Sequence, residues 1–298
     1  MPQSSPRIVE AIIKVAPVLF VLFWSTGFIG NKFGLPHIEP FTFVAIRLFF
    51  ASLAITLLAL ALRAPLPRGR AIPHSVVSGV LVHGIYLCGV CVAMAQGMPA
   101  GIAALVVGLQ PVLTSTLANR WFGERVSALQ WGGLVLGLLG LWLVVQAKVA
   151  GETGLTGWIA IVGALIGITA GTLYQKRFGG GVDFLSSMPI QYASASAFAA
   201  IGAFAFETRV VDWVPELILT IAWLVVVISG GAIVLLYIMI RRAAATRVAS
   251  LFYLTPAVTA LMSWALFNEQ LGLAAIAGMA LCAAGVLLVN WKAAPAST

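Results

Sequence analysis

Charge is scarce in this chain. Asp, Glu, Lys and Arg make up 9% of its 298 residues, against about 25% in a soluble domain, too few to cover a water-exposed surface. Hydrophobic residues fill 61% of the sequence, and that combination points to an integral membrane protein. Cysteine is rare as well, with 3 in all. Cys88 and Cys91 form a C-x-x-C inside an apolar run with no second pair, and Cys282 stands alone. That gives neither a disulfide framework nor a metal or redox motif. No H-E-x-x-H, G-x-S-x-G or intramembrane aspartate pair occurs, which argues against an enzyme. The GGG at 179–181 lacks the Lys-Ser/Thr ending of a phosphate-binding loop and reads as a flexible link. No cofactor and no metal are expected. The nine carboxylates are Glu10, Glu39, Glu124, Glu152, Asp183, Glu207, Asp212, Glu216 and Glu269, and all fall at or beyond the ends of apolar runs.

Those runs define the architecture. A bilayer core of about 30 Å needs about 20 apolar helical residues. Ten windows meet that need, roughly 13–34, 40–62, 74–95, 100–119, 127–147, 155–176, 185–206, 217–240, 245–267 and 271–291. They lack the alternation of a β-barrel. The MPQSSPR leader runs into the first apolar segment without a small-residue cleavage site, so that segment is expected to stay as a helix. The formal charge of +8 does not imply a nucleic-acid partner, because membrane proteins gather basic residues in cytoplasmic loops. Ten spans put thirteen Lys and Arg on one side, Arg63, Arg68, Arg70, Lys176 and Arg177 among them, and only Lys32, Lys148 and Arg209 on the other. Both termini are therefore expected in the cytoplasm, in a bacterial inner membrane, with the lipid bilayer and a small molecule as partners. The active unit is a monomer or a homodimer.

The chain also writes one pattern twice. LQPVLTSTLANRWFGE at 109–124 and LTPAVTALMSWALFNE at 254–269 share Leu, Pro, Thr, Phe and Glu in one register. A shift of 145 pairs Pro111 with Pro256, Thr114 with Thr259, Glu124 with Glu269 and Gly133 with Gly278. A shift of 144 pairs Lys32 with Lys176 and Arg47 with Gln191. Residues 1–150 and 151–298 thus read as two repeats. Each holds five helices, and five is odd, so the second copy must cross the membrane upside down. The fold class is an all-α polytopic membrane protein of ten transmembrane helices in two inverted-topology repeats, a plan used by secondary transporters.

The segments LQPVLTSTLANRWFGERVSALQWGGLVLGLLG, LTPAVTALMSWALFNEQLGLAAIAGMALCAAG and WSTGFIGNKFGLPHIEPFTFVAIRLFFAS carry a resemblance. The chain resembles the ten-helix members of the drug/metabolite transporter superfamily with two EamA repeats, and within it the exporters of aromatic amino acids. The resemblance spans nearly the whole chain. It implies export of amino acids, best aromatic or large neutral ones, and related small metabolites. Proton-coupled antiport of metabolites or drugs, and sugar-nucleotide or sugar-phosphate transport, are the alternatives within the superfamily.

Residues near the midplane supply the candidate substrate site. Pro111 and Pro256 interrupt equivalent apolar runs, as broken helices do around transporter sites, although each could equally be a plain kink. Gln110 with Thr114, and Thr255 with Thr259, lie four apart and share helix faces. His83 and Tyr86 sit three apart, with Gly79 on the same side. Trp24, Ser25 and Thr26 in the first helix, Ser229 in the eighth and Tyr253 beside Pro256 complete the set. Together they describe an apolar, aromatic-rimmed pocket with few charges. That suits a zwitterion better than a phosphorylated substrate, which needs clustered cations. Arg47 lies within the second span, where it must either find a partner such as Asn31 or snorkel outward. His83 is either a helix–helix hydrogen bond or a proton relay. With no carboxylate inside the membrane, facilitated transport is expected over proton antiport. Small residues Gly133 and Gly137, and Gly278 with Cys282, read as close-packing scaffold between the fifth and tenth helices.

Overall fold

The computed structural model describes residues 6–65, 67–110, 113, 114, 117, 128–146, 153–179, 184–232, 235, 239, 254–269 and 272–290. Among them lie the helices α1 (Pro6–Gly34), α2 (Pro40–Ala61), α3 (Ala71–Ala95), α4 (Ala100–Val107) and α5 (Ala128–Gln146). They are followed by α6 (Leu155–Phe178), α7 (Phe184–Phe206), α8 (Pro215–Ala232), α9 (Thr255–Phe267) and α10 (Leu273–Asn290). Segments of six of them, α1 to α3 and α6 to α8, are long and apolar enough to cross a bilayer. Helix α1 starts at Pro6, inside the stretch expected as a polar leader. Proline is favoured in a first turn, where its missing N–H is needed by nothing.

The apolar faces turn both ways. In α2, Phe43, Val44, Leu48 and Ala51 are fully buried. Phe49, Leu53, Leu57 and Leu60 on the same helix are 49–60% exposed. Such a strip is abnormal on a soluble surface and ordinary against lipid tails, so α2 carries apolar side chains on both its inner and its outer face.

Contacts between helix ends fix the direction of each span. At the end of the bundle where α1 stops and α2 starts, here the upper end, Glu207 just past α7 caps α2. It accepts Phe41 N–H at 2.6 Å, Thr42 N–H at 2.8 Å and the Thr42 hydroxyl at 2.8 Å. Glu39, just before α2, returns the arrangement by accepting Thr208 and Arg209 N–H at 3.2 and 2.7 Å. Further down, Ser52 donates to Pro189 O and Ser196 to Ala45 O, so α2 and α7 are antiparallel. At the lower end, His74 near the start of α3 meets Tyr174 near the end of α6 at 2.7 Å. Glu216 at the head of α8 reaches His37 at the upper end. Lys32 at the end of α1 pairs with Glu269 beyond the end of α9. Therefore α1 rises and α6 descends, α2 descends and α7 rises, α3 rises and α8 descends, α4 descends and α9 rises. The second set of helices is inverted relative to the first.

Packing repeats with the same exchange. Helix α3 packs on α6 and α7, and α8 packs on α1 and α2. Pairs α2–α7, α4–α9 and α5–α10 join equivalent helices of the two sets. Small residues make these approaches close. A Cβ at Gly79 would lie 2.3 Å from Gln191 O, and one at Gly285 would lie 2.5 Å from Gly133 O and 2.7 Å from Gly137 N. Gly133 and Gly137 thus meet Gly285 across α5 and α10; the side chain of Cys282 lies outside the described residues. Small residues permit this backbone approach where lipid supplies no hydrophobic drive.

Candidate substrate-binding site

Two spans change their winding halfway across the bundle. Val80–Ile85 in α3 and Leu224–Ala232 in α8 are wound as π-helix. The repeat shift of 144 carries Val80 onto Leu224, so the wide turns occupy equivalent places. Neither stretch contains proline. A π-turn widens the helix and displaces side chains, and it recurs at functional sites. In α8 the Ser229 hydroxyl donates to Leu224 O at 3.2 Å, occupying one carbonyl of the widened turn.

A cavity opens between these turns. Trp24, Gly27, Phe28 and Asn31 of α1, Arg47 and Leu48 of α2, and His83, Tyr86, Leu87 and Val90 of α3 line it, with Tyr192 of α7 and Ile228 and Ser229 of α8. Its volume is about 50 Å³, room for about four waters at roughly 10–15 Å³ each. The His83 ring meets the Tyr192 ring edge-on, centroids 4.7 Å apart.

Three polar atoms of this lining are buried without a hydrogen-bond partner: Asn31 Oδ1, Arg47 Nε and His83 Nε2. Arg47 is 5% exposed, so it does not snorkel. Its Nε does not reach the Asn31 oxygen, because both atoms are unbonded. No Asp or Glu is among the described lining residues. A guanidinium in a span costs about 3 kcal/mol on insertion scales, which makes an unbalanced one a marker of function.

Of the sequence candidates, Trp24, His83, Tyr86 and Ser229 meet at the cavity. The others described stand elsewhere. The Ser25 hydroxyl faces Thr255 O at 3.5 Å, between α1 and α9. Thr26 donates to Phe23 O and accepts from Trp223 Nε1 at 3.0 Å. Gly79 is pressed against α7, where no ligand fits. Gln110 donates to Thr114 at 2.9 Å and to Thr172 at 3.1 Å, tying α4 to α6. Thr255 and Thr259 are buried, with hydroxyls that find no partner. Pro256 stands in the first turn of α9 and packs on Gly108. Pro111 and Tyr253 lie outside the described residues. Sequence reasoning left Gly27, Phe28, Leu48, Leu87, Val90, Tyr192 and Ile228 out of the site. Five of them are apolar side chains that look like any core residue, and the repeat register pairs Leu48 with Tyr192. Arg47 had a signal, a charge inside a span, and Asn31 entered as its candidate partner.

At the upper end, α1 and α9 are tied together. Lys32 and Glu269 form an ion pair whose side chains are 32% and 14% exposed. The Lys32 ammonium also lies 4.6 Å from the Phe267 ring, which meets Phe33 at 4.8 Å.

An inverted bundle of apolar spans around a small, sparsely polar cavity is the build of an integral membrane transporter for a small-molecule substrate. The chain belongs to the EamA-like transporter family, whose profile matches it twice, over residues 12–146 and 155–291. This is a family of transporters, not of enzymes. A relative in Bacillus subtilis (strain 168), named Uncharacterized transporter YvbV, is 26% identical over 277 residues, 91% of this chain and 89% of that protein. A Salmonella typhimurium protein named Probable amino-acid metabolite efflux pump is 25% identical over 161 residues, covering 54% of this chain and 52% of its own. One solved crystal structure shares the fold at a TM-score of 0.67 and 20% identity, covering 94% of this chain and 97% of that one.

Proposed function

We propose that this protein exports amino acids, aromatic or large neutral ones above all, and related small metabolites across a bacterial inner membrane. Transport runs by alternating access and facilitated diffusion. The observation that carries this reading is the central cavity, where one guanidinium faces Trp24, Phe28, Tyr86 and Tyr192. A carboxylate on an apolar, flat body matches such a lining. The printed name of the Salmonella relative supports the same substrate class. A phosphorylated sugar or sugar nucleotide needs several cations, and the lining offers one.

Trp24, His83, Tyr86 and Ser229 contact the substrate, with Arg47 as its charged partner. The other candidates support the helices around them. Residues 1–150 and 151–298 are the two repeat units. The lower end faces the cytoplasm: Arg63, Arg68, Arg70, Lys176 and Arg177 gather there, against Lys32 and Arg209 at the upper end, as the positive-inside bias requires. No carboxylate in the lining is available to carry a proton, which favours uniport.

Counterflow in proteoliposomes tests this. Vesicles loaded with unlabelled phenylalanine, leucine or their N-acetyl derivatives should draw in the labelled compound above the passive level. Failure of every member of that panel, with a sugar nucleotide exchanging instead, would remove the export reading.

A further inference from the structure

The cavity holds a receptor for one end of an amino acid and none of matching strength for the other. Arg47 is 95% buried, as its 5% exposure shows, and its Nε has no partner in the protein. Its guanidinium can pair with a carboxylate. A free ammonium would need a counter-charge or several acceptors once stripped of water. Among the described residues the lining carries no Asp or Glu. Its unbonded acceptors are neutral, Asn31 Oδ1 and, in one tautomer, His83 Nε2, and the aromatic rings of the lining stand in the same cavity as the Arg47 cation. The equivalent position in the second repeat is Gln191, which is committed to Gln175 and Ser187 at 2.9 and 3.1 Å. The inverted mate of Arg47 therefore adds no opposite charge.

We propose that the preferred substrate is a monoanionic carboxylate with an apolar or aromatic body, such as an N-acylated or deaminated amino acid, and that the free zwitterion is a weaker one. This rests on the export reading above and narrows its substrate class. Arg47 is the residue that sets the preference. Bound to such an anion, the cavity is neutral; bound to a zwitterion, it keeps a net positive charge and an ill-matched ammonium. Uniport of the anion also moves one negative charge across the membrane in each cycle.

The test uses the full-length purified protein and three ligands that share one ring. Thermal melting in detergent at pH 7.5 is followed with 3-phenylpropionate, phenylalanine and phenethylamine. These carry the carboxylate alone, both charges, and the ammonium alone. The expected result is half-maximal stabilisation by 3-phenylpropionate at a concentration at least tenfold below that for phenylalanine, with no effect of phenethylamine. Equal or tighter binding of phenylalanine, or stabilisation by phenethylamine alone, overturns the proposal. In proteoliposomes, labelled N-acetylphenylalanine should accumulate tenfold for each 59 mV of inside-positive potential, the constant for one charge. Accumulation that ignores the potential also overturns it. Arg47→Gln should abolish the difference between 3-phenylpropionate and phenylalanine, and a variant that keeps the tenfold preference refutes the role of Arg47. The wild-type measurements decide the matter even if that variant fails to fold. Phenylalanine that binds and exchanges while the acids do neither leaves export standing and removes only this proposal. Silence from all three ligands and from N-acetylphenylalanine removes both.

Discussion

Replacing Arg47 with methionine should make this protein more stable and less able to bind its substrate. The charge sits 5% exposed within α2, its Nε unbonded and no carboxylate in the lining around it. A guanidinium at the centre of a span costs about 3 kcal/mol on insertion scales, and the missing partner means that little of this is returned. Methionine keeps most of the side-chain length and adapts to irregular space. Removal of the charge is therefore expected to stabilise the fold by about 1–3 kcal/mol. In a chain of this size that is a rise in melting temperature on the order of 2–8 °C. The assay is thermal melting of purified wild-type and Arg47→Met protein in the same detergent, with and without a carboxylate ligand. The variant should melt higher without ligand and gain nothing when ligand is added. A variant that melts lower than wild type by several degrees would show that Arg47 is held by a bond within the protein, and the reasoning about an unbalanced charge would fail.

Other expectations follow from single contacts. Gly79→Val should destabilise by about 2 kcal/mol or more, because a Cβ there meets Gln191 O at 2.3 Å; its melting temperature compared with that of Gly27→Ala checks this, since a Cβ at Gly27 meets nothing within 4 Å. Glu269→Gln should loosen the joined upper ends of α1 and α9 by about 1 kcal/mol, seen as several-fold faster maleimide labelling of a Trp24→Cys reporter from that side; Lys32→Glu combined with Glu269→Lys should restore the slow rate. Glu39 is raised by partial loss of water, but the bonds from Thr208 and Arg209 and the Arg209 charge outweigh this and hold it below its ordinary 4.5. Its folded pKa lies below its unfolded one, so its contribution is present above about pH 4.5 and is lost as the pH falls through the lowered folded value. Glu39→Gln should accordingly flatten the loss of melting temperature in that acidic range. Cysteines at positions 37 and 68 should label from opposite faces of intact cells, position 37 from outside; labelling of both from one compartment would contradict the proposed orientation.

Six of the spans, and the reversed direction of the second set of helices, were legible because each rests on a pattern longer than one contact. Apolar length marks a span, and an odd helix count dictates the flip. Arg47 announced itself by charge alone. The cavity wall was less legible. Pro111 and Pro256 drew attention to the fourth and ninth spans, since proline is the visible helix breaker. Pro256 instead occupies a first turn, and the widened turns lie in VLVHGI and LVVVISGGA, which contain no proline. Glycine occurs in both stretches and in most of the other spans, so it did not single them out. Thr26 and Gln110 were equally ambiguous: polar groups in a span need partners, and whether the partner is a ligand or a helix depends on rotation about the axis. The lower-face glycine at position 79 served helix contact where a ligand surface was expected.

The bedding of α3 on α6 and α7, and of α8 on α1 and α2, has a mechanical meaning. Each half of the polypeptide lends its third rod to the other half, so any rigid body within the bundle is stitched from both. A single copy made alone would lack a wall and a bearing, however faithfully it repeats the other's sequence.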